Sequence, residues 1–466
     1  MGLREKLPVK ALFTKPLDRT NGFGLLVLDC YSCMNFYAGI DFGTSGARIA
    51  VIDREGHLLT QVSDRFQQST DWITTWQKTL FGLIKQIPEG YRGEMGAIAI
   101  NGTSATVLLC DGAGQPITHP LLYNDACGVE VLATLQQFFA QDHLHNAPSK
   151  DTVLSATSSL VKLLWWRQQS YFVQARYLLH QADWLGFLLH GQLGTSDYHN
   201  SLKLGYDVAH LRYPAWMEEL EVLPLLPQVV APGIPVGRVQ PETAAQLGLS
   251  PDCQICAGTT DSIAAFIASG ATAPGEAVTS LGSTLVLKLL SETRVENGQY
   301  GIYSHRLGDL WLVGGASNTG GAVLQQFFTS TDLEDLSAQI SIDRESLLDY
   351  YPLTQPGERF PINDAQLAPC LEPRPQDPVA FLHGLLESMA RIEARGYRLL
   401  QALGATPLTQ VYTAGGGARN DAWTAIRARQ LGVPVERSSH SEAAYGTALL
   451  ALRGAEGRGS GVGGRG

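Results

Sequence analysis

The sequence predicts an α/β architecture in which two similar domains face each other across a cleft, and three observations predict it. Strand-like runs alternate with helical stretches through the chain. The segment Asp41-Phe42-Gly43-Thr44-Ser45-Gly46-Ala47-Arg48, a tight turn of small residues between two apolar runs, returns in outline around Gly282-Ser283-Thr284. Between the two, Ala271-Thr272-Ala273-Pro274-Gly275 interrupts the chain. Short Gly/Ser/Thr segments also resemble one another by chance, so duplication and coincidence both stand at this point. The domains are expected at 36–272 and 273–453, after an extension at 1–35 and before a Gly-rich, disordered tail at 454–466.

The elements follow from periodicity and turn residues. Phe36–Ile40, Ala47–Asp53 and His57–Val62 read as strands, with Arg54-Glu55-Gly56 as a turn. Trp72, Trp76, Leu80, Leu83, Ile84 and Ile87 fall at helical spacing, which makes Trp72–Ile87 a helix whose tryptophans face the core. Met95–Ile100 is a buried strand running into Asn101-Gly102-Thr103-Ser104, and Val107–Cys110 is another strand. Leu132–Leu226 is rich in Leu, Trp and Gln and reads as mostly helical. Cys253–Ala257 is a strand entering Gly258-Thr259-Thr260-Asp261, followed by a small-residue helix over Ser262–Ser269. The second half offers strands at Ala277–Leu281, Leu285–Leu290 and Gln410–Thr413 and helices at Val379–Leu403 and Ala422–Leu431. A last helix starts from a Ser439-x-x-Glu442 capping box and stops before Gly454.

With 466 residues there is room for two or three domains. Hydrophobic residues at 44% and charged residues at 17% suit a compact soluble enzyme, and a net charge of −10 argues against nonspecific nucleic-acid binding. No apolar run approaches the roughly 18 residues of a membrane span. Seven cysteines form no disulfide framework. The pairs Cys30/Cys33 and Cys253/Cys256 lack histidines at zinc-finger spacing and read as thiols in a reducing compartment. Residues 1–35 are mildly basic and read as a loose extension, with a transit peptide as the alternative. The expected location is cytoplasmic, or a plastid if that alternative holds. The tail residues Gly459, Gly461 and Gly464 match G-x-G-x-x-G without the strand and helix that give that pattern meaning.

Four loops carry chemistry. In Asp41–Arg48 an acid at a strand end faces a turn with exposed backbone N–H groups, which suits a metal and a phosphate; the alternative is a hairpin using small residues for geometry. In Gly258-Thr259-Thr260-Asp261-Ser262 an acid at a strand–helix junction is placed for proton transfer, or for helix capping. Gly282-Ser283-Thr284 is a second phosphate loop or a plain turn. Ala414-Gly415-Gly416-Gly417-Ala418-Arg419-Asn420 lets a flat ligand lie on backbone before a helix N-terminus, or is a flexible connection. A fifth glycine loop, Gly314-Gly315-Ala316-Ser317-Asn318, is less specific. The absence of G-x-x-x-x-G-K-[ST], and of H-R-D and D-F-G in kinase context, excludes a P-loop NTPase and a protein kinase. His143, His145 and His199 show no metal-ligand spacing.

Taken in order, with Ser158–Trp166 around Lys162 and Trp165 and with Ser196-Asp197-Tyr198-His199-Asn200, these loops resemble the FGGY carbohydrate kinases over Tyr37–Arg453. That family shares the superfold of actin, hexokinase and heat-shock chaperone ATPases. The resemblance implies two actin-like (ribonuclease H-like) domains, with sugar held mainly by the first and ATP mainly by the second. It implies that Asp261 is the base taking the proton of the attacking hydroxyl and that Asp41 engages Mg²⁺. Thr44, Ser45 and Arg48 then meet the transferring phosphate, and Gly282, Ser283 and Thr284 lie along the ATP phosphates. Gly415, Gly416 and Asn420 contact adenosine and Trp423 walls the base. Ser104 and Asp261, with Asp41, Tyr123, Asn124 and Asp183, contact the sugar.

The chain lacks the Gly-Gln-Met-His-Gly loop usual in bacterial xylulose kinases, Gly102–Thr106 standing in its place, and it lacks the Arg-Glu pair of glycerol kinases. Segments Gly102–Asp111, Leu121–Ala126, Gln181–Leu185 and Ser196–Asp207 are most similar to the cyanobacterial and plant group resembling D-ribulose kinase. The expected reaction is ATP-dependent phosphorylation of a ketopentose at its terminal hydroxyl, D-ribulose to D-ribulose 5-phosphate first. D-xylulose or another polyol is one alternative and a non-catalytic ATP-binding scaffold another. A chaperone ATPase of the heat-shock type lacks its β-rich peptide-binding domain here. No nucleic-acid or membrane partner is expected, and oligomeric state stays open.

Overall fold

The structure is a computed structural model and describes residues 35–66, 71–144, 147 and 149–457. Most of the expected extension, the Cys30/Cys33 pair, His145 and the tail beyond Gly457 lie outside the described residues.

Phe36–Phe42 (β1) and Gly46–Ile52 (β2) pair antiparallel, with Asp41 opposite Arg48, and Leu58–Arg65 (β3) extends the hairpin. On the other side of β1 runs Met95–Gly102 (β4), parallel and buried at every residue, as a strand covered on both faces must be. Pro235–Arg238 (β5) and Gln254–Thr260 (β6) complete a six-stranded sheet in the order β3-β2-β1-β4-β6-β5. One face is covered by Trp72–Gln86 (α1) and Gln181–His190 (α2), with Trp76, Leu80, Leu83, Trp184 and Leu185 in one core with Ile40, Ile49 and Ile98. Asp71 caps α1 by accepting from the Thr74 N–H, and the Trp72 and Trp76 rings lie 5.9 Å apart, facing that core as expected.

β6 runs directly into Asp261–Ala268 (α3). The second sheet then begins with Glu276–Leu281 (β7) and Leu285–Ser291 (β8), again an antiparallel hairpin. Tyr303–Leu307 (β9), Leu310–Ser317 (β10), Gln410–Ala414 (β11) and Val435–Arg437 (β12) complete the order β9-β10-β8-β7-β11-β12. Pro378–Ala402 (α4) and Asp421–Leu431 (α5) supply core residues against it. In both sheets a hairpin's first strand pairs antiparallel with its second and parallel with a later strand, so the two halves share one plan.

Ala443–Ala455 (α6) follows the second sheet in sequence but packs on the first, where Ala448 and Ala451 join Tyr37, Ala97 and Cys256. Gly39 is required there, because a Cβ on it would fall on the Ala448 backbone. Four expectations are corrected. Glu442 is the N-cap of α6 without any side-chain cap bond, so the Ser439/Glu442 box does not form; Glu442 instead pairs with Arg48. The helix runs through Gly454, whose bare Cα passes the Gly233 carbonyl, so 454 does not begin the tail. Gly314 and Gly315 lie inside β10 rather than in a loop, where Gly315 leaves space for the Phe360 ring. The segment Leu132–Leu226 is only partly helical: short helices and 3₁₀ turns alternate with two small sheets, Val107–Cys110 with Tyr177–His180 and Thr195–Asp197 with Gln228–Val230. Its large apolar side chains reflect burial against each other, not helical period. Among the described residues no helix is long and apolar enough to cross a membrane.

Candidate active site

Three adjacent parallel strands of the first sheet end together. Asp41 of β1 stands in register with Asn101 of β4, and Asn101 with Thr259 of β6, two residues before Asp261. Ligands of open α/β sheets collect at such carboxyl ends. Asp261 opens α3, and its carboxylate accepts from the Ser262 N–H at 2.6 Å; the N-cap position belongs to Thr260. Burial pushes the Asp41 carboxyl up to about 6, helped by the charge of Asp261 and opposed by Arg48 and the Asn101 amide. Burial also raises Asp261, against the pull of the Ser262 N–H, Lys288 and Lys203. A buried carboxyl raised further by a second carboxylate is a frequent mark of a functional site.

The two loops expected to contact the sugar are tied together by one lysine. Lys162, fully buried, donates to the Ala105 carbonyl at 2.8 Å and to the Leu122 carbonyl at 2.5 Å. It thereby fixes the loop holding Ser104 to the loop holding Tyr123 and Asn124. Ala105 takes φ +64°, a strained value for alanine. Ser104 is half-buried, and Tyr123 and Asn124 are exposed. Asp183 does not join them. Its side chain is 4% exposed and receives the His180 backbone N–H and ring at 3.0 Å, closing a capping box at the start of α2. The expected sugar contact at Asp183 is therefore corrected: helix capping occupies it.

On the other side the turns are open. Thr44 and Ser45 are exposed, and the Gly43 N–H closes the turn onto the Gly46 carbonyl at 3.0 Å. Gly282 and Ser283 are exposed too, with their carbonyls accepting from Gly321 and Ala322, which leaves that turn braced. Gly415, at φ +85°, runs so close to Leu281 that a Cβ would meet its carbonyl at 2.7 Å. The 282–284 and 415–417 turns thus lie side by side at the ends of β7 and β11. Asn420 and Trp423 do not present side chains there. The Asn420 side-chain Oδ1 caps α5 by accepting from the Trp423 N–H, and its Nδ2 donates to Ser337. Trp423 is 3% exposed and belongs to the second core, against Leu281 and Gly417. Both expectations are corrected: these residues shape the turn from beneath.

Sequence reasoning missed three groups. Asn101, fully buried, donates to Thr447 Oγ1 of α6 at 2.6 Å, and its oxygen has no partner among the described residues. Lys203 and Lys288 place positive charge on Asp261 from two directions. A lysine within the apolar run Leu285–Leu290 was the available signal for Lys288. The thiols of Cys253 and Cys256 are both buried.

The N-terminal domain of the FGGY family of carbohydrate kinases matches residues 36–268 and its C-terminal domain matches residues 277–455. The chain belongs to the FGGY family of carbohydrate kinases. It is accordingly a sugar kinase on the actin-like fold, and FGGY kinases use ATP. Among its relatives is a xylulose kinase of Bacillus subtilis (strain 168), 24% identical over 454 residues, covering 90% of this chain and 88% of that protein. An L-fuculokinase of Salmonella typhi is 22% identical over 452 residues, covering 91% of each. A solved xyloylose kinase from Brucella ovis superposes with a TM-score of 0.78 at 23% identity over 91% of each chain, which shows the shared fold.

Proposed function

We propose that this FGGY kinase phosphorylates the terminal hydroxyl of a ketopentose, D-ribulose to D-ribulose 5-phosphate first, with ATP and Mg²⁺ and with Asp261 as general base. The observation that carries this reading is the pairing at the strand ends. Asp261 sits at the first residue of α3 with a raised pKa, and Asp41 faces it with a buried Oδ1 that has no hydrogen-bond partner among the described residues. An acceptor-only oxygen among negative charges suits a hard divalent cation, so Asp41 fits Mg²⁺. Bound Mg²⁺ would neutralise charge on the transferring phosphoryl group.

The chain's own groups do the rest. Asp261 accepts the proton of the sugar hydroxyl as the bond to phosphorus forms, and a carboxylate is an adequate base when that proton leaves late. Thr44, Ser45 and the Gly282–Thr284 turn offer hydroxyls and backbone amides to phosphate oxygens. Arg48 pairs with Glu442 and can turn to the phosphates only by releasing it. Gly415 and Gly416 lie along the adenosine, and Ser104, Tyr123 and Asn124 contact the sugar. ATP as co-substrate suits a cytoplasmic site of action. D-xylulose is the second reading, favoured by the xylulose kinases among the relatives.

A panel of D-ribulose, D-xylulose, L-fuculose, gluconate and glycerol in an ADP-release assay decides the sugar. The highest kcat/KM is expected with D-ribulose, and no turnover above background with it overturns the first choice. Asp261→Asn is expected to lose roughly 10³-fold in kcat while nucleotide binding survives. Unchanged turnover would remove the base.

A further inference from the structure

Asp261 is bracketed by two contacts that lead to the second half of the molecule. On its N-terminal side, Thr259 Oγ1 lies 2.7 Å from His199 Nδ1, and His199 Nε2 lies 2.6 Å from the carbonyl of Arg306 in β9. A carbonyl only accepts, so the proton is on Nε2 and the Thr259 hydroxyl donates to Nδ1. On its C-terminal side, Lys288 of β8 donates to the carbonyl of Ser262. Lys288, Gly314 and Tyr303 stand in register across β8, β10 and β9, so the glycine between the two side chains keeps that face open.

We propose that Lys288 is a positioning residue for phosphoryl transfer: reaching from the second sheet to Ser262, it fixes the first turn of α3 and aims the Asp261 carboxylate only while the two halves are together. The inference rests on Asp261 being the base. A lysine on a strand of the ATP-side sheet has no structural need to reach a helix of the other half. It makes the base's geometry conditional on closure, which limits proton removal when the nucleotide half is apart.

The charges around Lys288 agree. Asp261 faces it from α3, His199 from the segment before the 3₁₀ turn Ser201–Leu204 and His305 from β9, while Lys203 of that turn acts on Asp261 and His305 and Tyr303 stands in register beyond Gly314. Burial holds His199 down to about 4 and His305 lower than usual, so both are neutral near pH 7 and do not compete with the ammonium. Burial brings Lys288 down to about 8 although Asp261 opposes it. Its charge is therefore present below that pH and lost as pH rises through it.

The test compares Lys288→Met and Lys288→Arg in the full chain. Lys288→Met is expected to lower kcat roughly 100-fold through misplacement of the base, with ADP affinity and KM for ATP unchanged. Lys288→Arg is expected to restore most of kcat, and to move the alkaline fall of kcat/KM, expected near pH 8 in the parent, to higher pH. Parent-like kcat in Lys288→Met overturns the inference. If Lys288→Met does not fold, an alkaline limb left in place by Lys288→Arg overturns it equally. Loss of activity in Asp261→Asn together with a fully active Lys288→Met removes this inference alone; an active Asp261→Asn removes the base on which it rests.

Discussion

The second half of the molecule encloses a charge pair in which every arm is matched, whereas the junction between the halves encloses charges that are not. Arg427 of α5 and Glu393 of α4 are 0% and 1% exposed and meet in two hydrogen bonds of 2.6 and 2.7 Å. The third arm of Arg427 reaches Thr413 of β11 at 2.7 Å, and Glu393 also accepts from Thr279 of β7 at 2.6 Å, which in turn lies 2.8 Å from the Tyr397 hydroxyl. At the junction, burial and the charge of Asp261 both raise Asp41, and Asn101 keeps an oxygen without a partner among the described residues. Matched buried charges hold strands in place; mismatched ones store an attraction for what must bind. The matched network pins β7 and β11 just behind the two turns proposed to hold the nucleotide.

Three single variants and one double variant break or sharpen that contrast. The largest effect is expected from Arg427→Met, which leaves Glu393 enclosed without its cation and costs about 3–5 kcal/mol, read by urea unfolding. Adding Glu393→Met should recover much of that loss, and a double variant no better than the single one would show that the network acts through shape rather than charge.

Asp41→Asn should do the reverse. The folded carboxyl titrates at about 6 against an ordinary 3.8, so the folded state holds its proton more tightly than the unfolded chain. Its cost to stability is absent at low pH, grows as pH rises between those values and is complete above the upper one. At about 1.4 kcal/mol for each pH unit, Asp41→Asn should gain up to roughly 3 kcal/mol near pH 7.5 and almost nothing near pH 4, while losing turnover. An equal gain at both pH values would mean that burial, not charge, is being relieved. The smallest effect is expected from Thr279→Val, about 1–2 kcal/mol for a lost buried hydrogen bond, with KM for ATP rising more than KM for sugar if β7 positions the nucleotide turn. A change confined to the sugar KM would sink that link.

Much of this was legible in the order of residues. Alternating apolar runs and small-residue turns marked both hairpins, because a strand buried on two faces must be continuously apolar and a tight turn must be small. Asp41 and Asp261 were visible as acids at strand ends. Other readings failed where one residue type has two uses. Asn420 before Asp421-Ala422-Trp423 is as good a helix cap as a ligand contact, and Asp183 is as good a capping-box acid as a sugar contact; the fold uses both as caps. Lys288 was a lone cation in an apolar strand, a visible anomaly whose partner lay far off in sequence.

By itself the sequence determined the family, the alternation of strands and helices and the acids at strand ends, because these depend on local periodicity and on spacing along one chain. Only the tertiary structure decided which acid faces which, that the last helix returns to the first sheet, and that Lys288 reaches the first turn of α3 from the other half. Those facts depend on distances between segments far apart in the chain, which no local pattern encodes.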